Sequence, residues 1–471
     1  MSPVTVFVLI ISVLLLAATL YFVFESFREQ EKRAVRNGLG AALLILCLSV
    51  LAFIPVLWFI PAALCLVLIG FSALLFIPAA PDEKALKGSR GYQKGDVTRF
   101  DERDSVFVRY RYLPEGSEQY TTYYQMHPDR ESADAQRRKK GFIGTPGSID
   151  REYLPNVAMM HAAFSIPPFL GLHAHASPQD GVTPARLTPE KATRIVKHLA
   201  LHIGADMVGI AKVDPDLVYS HRGETHYERF DDWGKPISDL PKYAVVMLTE
   251  MKHGHVISAP HTPTVAESAH LYARGAYLST LMAQWFSHMG YRGVAEHTRN
   301  YDLPLPPLAV DAGLGEVGRQ GYLIAPKFGA RVRIFATLTD MPLIPDAPIS
   351  MGVEAFCMVC KKCADSCPSK SIPWDEKVVY NGFEKWKLDE ASCFDYWSRV
   401  GTDCSICMAI CPFSRPDTLL HRAVRVLVAK SRLAQRTFPY VDNFLYGKQW
   451  RPKTVAPWLS YRNQHDDTEV Y

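Results

Sequence analysis

The stretch CMVCKKCADSCP, Cys357–Pro368, decides how this chain is organised. Its spacing, C-x2-C-x2-C-x3-C-P, is typical of bacterial iron–sulfur proteins. A second run, CSICMAICP at Cys404–Pro412, repeats the last three cysteines and the proline. Cys393 precedes that run and is the candidate for its missing first ligand, although its gap to Cys404 is longer than the usual one. The two runs therefore predict a ferredoxin-like domain.

Eight thiolates are what two [4Fe–4S] clusters need, and in two-cluster ferredoxins the fourth cysteine of each run serves the other cluster. That rule assigns to one cluster Cys357, Cys360, Cys363 and Cys411. It assigns to the other cluster Cys367, Cys393, Cys404 and Cys407. A disulfide framework would suit a small secreted domain, and zinc sites, which also use C-x2-C pairs, do not usually end in x3-C-P.

Length and charge set further bounds on the function. A chain of 471 residues has room for roughly two to four domains. The net charge of +4 is too small to indicate a nucleic-acid partner. The two other cysteines, Cys47 and Cys65, lie in apolar surroundings, and we expect both to be small buried side chains. Iron–sulfur ligation requires reduced thiols, which indicates assembly in the cytosol.

The N-terminal region, residues 1–81, predicts about three transmembrane helices, at 4–24, 39–58 and 60–80. Basic residues follow the first apolar segment and the last one, so the positive-inside rule places the N-terminus outside. The predicted location is the inner, cytoplasmic membrane, with the bulk of the chain facing the cytoplasm. A re-entrant hairpin at 39–80 is the alternative, and it gives the same orientation. The segment has neither a cleavable signal nor a twin-arginine leader.

The remaining chain divides into four predicted regions. Residues 82–180 read as a polar linker or N-terminal extension, in which the basic cluster 137–140 is either a solvated loop or a contact with anionic headgroups. Residues 181–347 alternate helices and strands, which predicts an α/β domain. Its main elements are a helix after Thr188, strands near 207–211 and 243–248, and a helix at about 265–289. The ferredoxin-type domain spans 348–420, and 421–471 is a tail wrapping over the core.

The sequence AGLGEVG, Ala312–Gly318, contains a formal G-x-G-x-x-G. Prolines 304, 306 and 307 break the strand that a dinucleotide fingerprint requires before it, and Gly321 and Pro326 disfavour a helix after it. A nicotinamide site is therefore not expected. The glycines instead suit close approach of the backbone to another large, flat ligand.

Several short motifs occur in a fixed order before the cysteine runs: GADMVG at 204–209, KYAVVM at 242–247, AGLGE at 312–316, LIAP at 323–326 and TDMPL at 339–343. Together they resemble the cobalamin-dependent reductive dehalogenases over roughly residues 190–450. The resemblance implies an α/β (α+β), nitroreductase-like domain that binds base-off cobalamin, which two [4Fe–4S] clusters reduce. It also implies reductive cleavage of a carbon–halogen bond. The family's respiratory members carry a twin-arginine leader and use a separate membrane anchor, so this chain's own apolar segments favour a cytoplasm-facing, catabolic role.

The resemblance also implies a set of site residues. In that family a tyrosine backed by a lysine or arginine donates the proton, and here it corresponds to Tyr272, with Tyr277 as the rival. Arg333 is the expected polarising cation, and Arg331 is its close competitor. Asn300 is expected to orient the substrate. The expected corrinoid contacts are Gly313, Gly315 and Gly318.

Two alternatives stay open at this point. YARG at 272–275 and Asp311 also resemble epoxyqueuosine reductase, a tRNA-modifying enzyme with the same cofactors. A membrane-bound electron-transfer subunit would carry clusters and no corrinoid. The favoured interpretation predicts a small-molecule organohalide as substrate and an external electron donor, a ferredoxin or a flavin reductase, and no nucleic acid.

Overall fold

The computed structural model describes residues 3–54, 56–141, 143–144, 153–224 and 232–459. Within them the chain forms two compact units. The first unit comprises the described parts of 1–81 together with 351–360 and 417–454. The second comprises those of 82–350, 361–416 and the chain from 455 onward. The predicted tail, 421–471, is thus divided between the units, and its end, 460–471, lies outside the described residues.

The helices of the described chain are α1 (Pro3–Arg28), α2 (Lys32–Leu51), α3 (Phe59–Leu75), α4 (Glu83–Leu86), α5 (Val106–Tyr112), α6 (Glu118–Met126), α7 (Pro128–Arg138), α8 (Leu154–Phe164), α9 (Ile166–Gly171), α10 (Pro189–His202), α11 (His253–Val256), α12 (Thr262–His288), α13 (Leu305–Asp311), α14 (Val353–Cys360), α15 (Lys362–Ser366), α16 (Glu390–Val400), α17 (Ile406–Ala409), α18 (Leu419–Lys430) and α19 (Arg432–Tyr446). The strands are β1 (His175–Ala176), β2 (Met207–Lys212), β3 (Tyr243–Glu250), β4 (Gly293–Glu296), β5 (Glu316–Val317), β6 (Leu323–Ile324), β7 (Val332–Thr339), β8 (Val378–Tyr380) and β9 (Phe383–Lys385).

The first unit begins with three apolar helices. By length and composition, α1 and α2 could each cross a bilayer, and only 11% and 17% of their most apolar 18-residue windows are buried. Such exposure distinguishes them from the core helices of a soluble protein. Helix α3 is shorter, at 17 residues. The thiol of Cys65 is buried as expected, but Cys47 is exposed on the outer side of α2, so the expectation for Cys47 was wrong.

The second unit is built on a five-stranded sheet with the order β1-β4-β7-β3-β2, in which every neighbouring pair is antiparallel. Strand β3 has apolar side chains on both faces because helices cover both sides of the sheet. Val245 and Met247 pack with residues of α10 and α12. Val246 and Leu248 pack with residues of α13 on the opposite side. The sequence therefore predicted β3, α10 and α12 correctly but not α13, and the nitroreductase-like description stays a prediction.

Helix α12 runs against the sheet, and one glycine sets its distance from β7. A Cβ atom at Gly275 would lie 2.1 Å from ring atoms of Phe335, which is fully buried on β7. Gly275 therefore allows the helix to approach the strand more closely than any other residue would. Tyr272 lies one turn earlier on α12, and its ring meets that of Phe335 edge-on at 6.3 Å. The close approach thus also positions Tyr272 beside β7.

The region 82–180 is not a linker in the structure, because its described residues form six helices and belong to the second unit. Within the basic cluster 137–140, Lys139 and Lys140 are exposed, whereas the two arginines pack against the rest of the unit. Arg137 is buried and pairs with Asp134 at 2.6 Å and Asp395 at 2.7 Å. Arg138 lies over the ring of Tyr124. The sequence could not indicate these pairings, because Asp395 is far away along the chain.

We predict that Gly275→Ala destabilises the second unit by about 1–3 kcal/mol, since overpacking forces Phe335 or α12 to move. The matched control is Gly254→Ala on α11, where a Cβ meets no atom within 4 Å. Denaturant unfolding of the full chain in detergent measures both. Adding Phe335→Leu should recover part of the loss. Equal stability of the two alanine variants would contradict the proposed packing constraint.

Candidate functional site

Four of the eight predicted cluster ligands line one small cavity in the second unit. They are Cys367, Cys393, Cys404 and Cys407. This is the set that the sequence assigned to one cluster, including Cys393, whose spacing was the least regular. Among the described residues, no three His, Cys, Asp or Glu side chains are close enough to hold a single metal ion. A zinc site would require four thiolates about 2.3 Å from one centre, so the cavity favours a larger inorganic group.

The local structure explains how these cysteines come together. Cys367 directly follows α15, and Cys393 lies on the first turn of α16, a helix capped by Asp389. Cys404 and Ser405 both have left-handed backbone conformations, with φ of 60° and 58°. This sharp turn leads into α17, which carries Cys407. The capped helix thus brings the distant Cys393 into a cavity that two cysteine loops form.

The thiols of this cavity are costly to ionise without a positive partner. Burial and, to a smaller extent, the neighbouring Cys367 raise the pKa of Cys393 to about 12. Burial also raises the pKa of Cys407, and the three other thiols of the cavity act in the same direction. Iron supplies the positive charge that crowded, buried thiolates require. The donor set therefore fits a [4Fe–4S] cluster.

The other four predicted ligands are distributed between the two units. Cys363 and Cys411 lie in the second unit and are buried. Cys357 and Cys360 lie in the first unit on α14, three residues apart and both buried. Positions three apart share one face of a helix, so α14 presents both thiols on the same side.

The predicted proton donor and its cation lie together. The guanidinium carbon of Arg333 is 5.1 Å from the centroid of the Tyr272 ring. Arg333 donates to the carboxylate of Asp403 at 2.8 Å and to the hydroxyl of Ser268, which in turn donates to the same carboxylate oxygen. The side chains of Arg333 and Asp403 are 13% and 7% exposed. The guanidinium is therefore held rigidly next to Tyr272.

The charge of Arg333 is well stabilised in this position. Burial alone would lower the pKa of Arg333, but Tyr272 and Asp403 outweigh it and keep the pKa above its usual value. A guanidinium does not lose its proton in proteins, so this side chain provides a fixed positive charge. A cation at this distance from a phenol favours the phenolate that remains after proton transfer.

Tyr322 connects this pair to the cysteine cavity. Its side chain lines the cavity. Burial raises its pKa, the thiols of Cys407 and Cys393 raise it further, and Arg333 lowers it. The tyrosine therefore lies within electrostatic range of both groups. Asp403 makes a second connection, because it holds Arg333 and directly precedes Cys404.

Asn300 is fully buried in a tight turn with His297, and its amide donates to the carbonyl of Ala295. Its Oδ1 atom has no hydrogen-bond partner among the described residues. Two buried carboxyl groups nearby also have an oxygen without a partner. Glu296 accepts a hydrogen bond from the backbone of Asp302 at 2.8 Å. Glu296 Oε1 and Asp302 Oδ2, however, have no hydrogen-bond partner in the described chain. Buried polar atoms without partners are rare. They mark this turn as a place where a ligand could bind.

A cavity of about 540 Å³ reaches the same turn. Asp302 and Arg222 form part of its wall, and charged side chains of both signs line the rest, including Lys235, Asp239 and Arg292. This volume is within the range of small-molecule and cofactor sites. The polar lining suits a ligand with many hydrogen-bonding groups at its edge.

Other predicted residues have different surroundings. Arg331 is fully buried and donates to Glu250 at 2.8 Å and to backbone carbonyls, which indicates a structural role rather than competition with Arg333. Arg319 donates to the carbonyls of residues 373–375 and stacks on Trp386 at 4.6 Å. Tyr277, the rival donor, is 50% exposed. Tyr272, on the same helix, is only partly exposed.

The three glycines of the AGLGEVG segment contact the chain itself. A Cβ atom would lie 2.4 Å from the Ala347 carbonyl oxygen at Gly313, and 2.2 Å from the Ile324 carbonyl oxygen at Gly315. The segment continues into the β5–β6 hairpin rather than into a helix, which agrees with rejecting a dinucleotide site. Close packing accounts for glycine at 313 and 315. Corrinoid contact by Gly313, Gly315 and Gly318 stays a prediction.

Comparison with known proteins now adds to this geometry. A family model described as "4Fe-4S dicluster domain" matches residues 356–414. The chain is 32% identical over 295 residues to the tetrachloroethene reductive dehalogenase of Sulfurospirillum multivorans, covering 56% of this chain and 58% of that protein. It is 34% identical over 280 residues to the enzyme of the same name from Desulfitobacterium hafniense strain Y51, covering 50% of each. Over about half of its length, the chain is thus similar in sequence to reductive dehalogenases.

The solved structures show the same similarity at the level of the fold. The catabolic reductive dehalogenase NpRdhA matches with a TM-score of 0.61 and 26% identity, over 78% of this chain and 50% of that one. This chain spans about half the length of the curated reductive dehalogenases that it matches, 58% and 50% for the two named above. The match establishes the fold and the 4Fe–4S domain.

Sequence reasoning missed three residues of this site: Ser268, Asp403 and Tyr322. A signal existed for two of them. Ser268 lies four residues before Tyr272 on α12 and therefore on the same face. Asp403 is adjacent to the ligand candidate Cys404. Tyr322 had no such signal, because only the fold brings the β5–β6 hairpin to the cysteine loops.

We predict that Asp403→Ala destabilises the second unit by about 3–5 kcal/mol, because it leaves the buried charge of Arg333 unpaired. Removing the exposed partner of Arg292 with Asp239→Ala should cost less than about 1 kcal/mol. The double variant Arg333→Met/Asp403→Leu should be more stable than Asp403→Ala, since it removes both charges. Denaturant unfolding in detergent measures all three, and a double variant as unstable as Asp403→Ala would contradict the argument.

Proposed function

We propose that this protein is a membrane-anchored reductive dehalogenase. It replaces a carbon-bound halogen by hydrogen, so that an organohalide, two electrons and one proton give the hydrocarbon product and a halide ion. The observation that carries the proposal is the Tyr272–Arg333 pair, which Asp403 and Tyr322 link to a four-cysteine cavity. A proton donor and an electron source are the two parts that this reaction requires.

The proposed cofactors are base-off cobalamin and two [4Fe–4S] clusters. A bound corrinoid supplies the low-potential cobalt chemistry that reductive cleavage of a carbon–halogen bond requires. The partnerless oxygens of Glu296 and Asp302, with the adjacent 540 Å³ cavity, support binding of a polar ligand at this turn. Cys367, Cys393, Cys404 and Cys407 hold one cluster. The first-run cysteines Cys357, Cys360 and Cys363, with Cys411, hold the other by the ferredoxin rule.

The chain's own residues provide the proton. Tyr272 donates from its phenol to the carbon that loses the halogen, and a positioned donor of this kind contributes about 10²–10⁴-fold to the rate. Arg333 stabilises the resulting phenolate, while Asp403 and Ser268 fix the guanidinium. Asn300 orients the substrate through its Oδ1 atom, which has no hydrogen-bond partner among the described residues. Because Asp403 neutralises part of the guanidinium charge, the orientation of Arg333 matters as much as its presence.

The membrane helices place the reaction at a bilayer. We propose that α1 and α2 span the inner membrane and that α3 completes the anchor, with the site facing the cytoplasm, as the basic residues around the α1–α2 turn favour. The electrons come from an external donor, a ferredoxin or a flavin reductase. The organohalide is a small molecule, and no nucleic acid takes part.

The epoxyqueuosine alternative is not favoured. Asp311, the residue on which it depended, accepts from the backbone and the hydroxyl of Ser89 at 2.7 Å and 2.8 Å. These bonds hold the chain that follows α4 against the end of α13. A carboxylate with two such partners has a structural role here.

We predict that Tyr272→Phe lowers dehalogenation by about 10²–10⁴-fold, because the proton donor is lost. The measurement is halide release from an anaerobic panel of organohalides, with the protein reconstituted with cobalamin, iron and sulfide. Cobalt and iron contents should stay at the wild-type level. The matched control is Tyr277→Phe on the same helix, where the ring is half exposed.

Normal turnover by Tyr272→Phe would show that Tyr272 is not the proton donor, and it would not contradict the proposed dehalogenation. Absence of halide release by the wild type, with cobalt retained, would reject the reaction. Iron without cobalt in anaerobically purified, cobalamin-supplied protein would instead indicate the electron-transfer subunit. The three results therefore separate the donor, the reaction and the cofactor.

We predict that Cys393→Ser lowers the iron content from about eight to about four atoms per chain, because one of two four-iron clusters loses a ligand. The matched control is Cys47→Ser, at an exposed thiol on α2. Metal analysis and the electron paramagnetic resonance signals of the reduced protein measure both variants. Full iron content in Cys393→Ser would show that this residue is not required to hold a cluster.

A further inference from the structure

The C-terminal helices of the first unit carry a row of exposed residues with an unusual composition. On α19, Arg432, Arg436, Tyr440 and Phe444 follow one another at intervals of four, and all are exposed. Residues four apart lie on the same face of a helix. Tyr440 and Phe444 are 67% and 62% exposed. One face of α19 is therefore basic at its beginning and aromatic at its end.

Helix α18 has a similar outer face. Leu419, Arg422, Val426 and Lys430 are exposed at intervals of three or four residues. The opposite faces of the two helices are occupied, since Val428 and Ala434 are buried. Over residues 417–446 the chain has five Lys and Arg side chains against two Asp. The pair α18–α19, which we call the C-terminal hairpin, thus exposes apolar and basic side chains together.

The hairpin packs against the ends of the apolar helices. His421 of α18 pairs with Glu29 in the α1–α2 turn at 2.6 Å, in a buried contact. Arg33 and Asn37 of α2 donate to the carbonyl of Phe444 at 2.9 Å and 3.2 Å. The backbone of Ala79, shortly after α3, donates to the carbonyl of Lys430 at 2.7 Å. The hairpin therefore lies where α1 ends, α2 begins and the chain leaves α3.

That level of a membrane protein is the headgroup region. Basic side chains there attract anionic lipids, and aromatic side chains are enriched at the same depth because one part of the ring is apolar and the other polar. Helices that lie in this plane expose a face rich in Lys, Arg and large apolar residues. The outer face of the hairpin has these residues.

We propose that the outer face of the C-terminal hairpin lies on anionic phospholipid headgroups, with Tyr440 and Phe444 inserted at the interface. This inference rests on the membrane anchoring proposed above and on no catalytic step. A second copy of the chain would be a poor occupant, because the same face offers no acidic side chain to neutralise Arg432 and Arg436. Anionic lipid complements that charge.

The proposed contact has a consequence for the first cysteine run. Helix α14, which carries Cys357 and Cys360, packs on α18 and α19 within the first unit. The hairpin would therefore lie between the lipid surface and the helix that presents these two thiols. Lipid contact would hold α14 at a defined depth, and the cluster that Cys357 and Cys360 bind would be assembled next to the membrane.

The test uses the full chain in lipid nanodiscs, with a fluorescent coumarin amino acid in place of Tyr440 or of Phe444. The discs contain phosphatidylcholine with or without phosphatidylglycerol, and brominated acyl chains act as the quencher. We expect quenching at both positions, stronger in the anionic discs. Each basic residue near an anionic surface contributes about fivefold to association, so Arg432→Glu/Arg436→Glu should largely abolish the difference between the two lipid mixtures.

The matched control is Lys191→Glu/Arg194→Glu, the same two charge reversals at exposed residues of α10 in the second unit. It should leave the quenching unchanged. If the label stays unquenched in discs that retain the protein, the proposal is overturned. The label would then face water or a second copy of the chain. Quenching that does not depend on anionic lipid or on Arg432 and Arg436 overturns it as well. The quenching experiment does not depend on halide release, so its result is independent of whether the proposed reaction occurs.

Discussion

The buried ion pair between Arg333 and Asp403 connects the main parts of the second unit. Arg333 comes from the central strand β7, Asp403 from the loop that carries Cys404, and Ser268 from α12, and all three meet through one carboxylate oxygen. A buried charge is tolerated only where a partner and hydrogen bonds compensate its lost hydration. Strand, helix and cysteine loop are therefore held in one arrangement, and that arrangement gives Tyr272 its cation.

The sequence predicted the parts of this site that depend on local patterns. Cysteine spacing identified the four residues of the cavity, including Cys393, and hydrophobic patterns identified β2, β3, α10 and α12. Features that depend on distant contacts were missed or wrong. Arg137 is buried because Asp395 reaches it, and Tyr322 lies by the cysteines because the β5–β6 hairpin folds there. No local pattern encodes such contacts.

Residues of the same type can have different roles that the sequence alone does not separate. Arg331 and Arg333 are two positions apart, and by sequence either could be the cation beside the tyrosine. Their contacts in the structure distinguish them. Glu250 and backbone carbonyls engage Arg331, whereas Asp403 and the Tyr272 ring engage Arg333. The same holds for two glycines. By sequence, Gly313 and Gly315 were expected to contact a ligand, but in the fold carbonyl oxygens of the chain itself occupy the space beside them.

The adjacency of Asp403 and Cys404 has a consequence for exposure to air. If oxygen destroys the cluster proposed for this cavity, the loop that carries Cys404 loses its metal constraint, and Asp403 moves with it. Arg333 would then lose its orientation towards Tyr272. Oxidative damage would thus disable the proposed proton donor together with the proposed cluster, so that a partly oxidised preparation would be a mixture of intact and wholly inactive molecules.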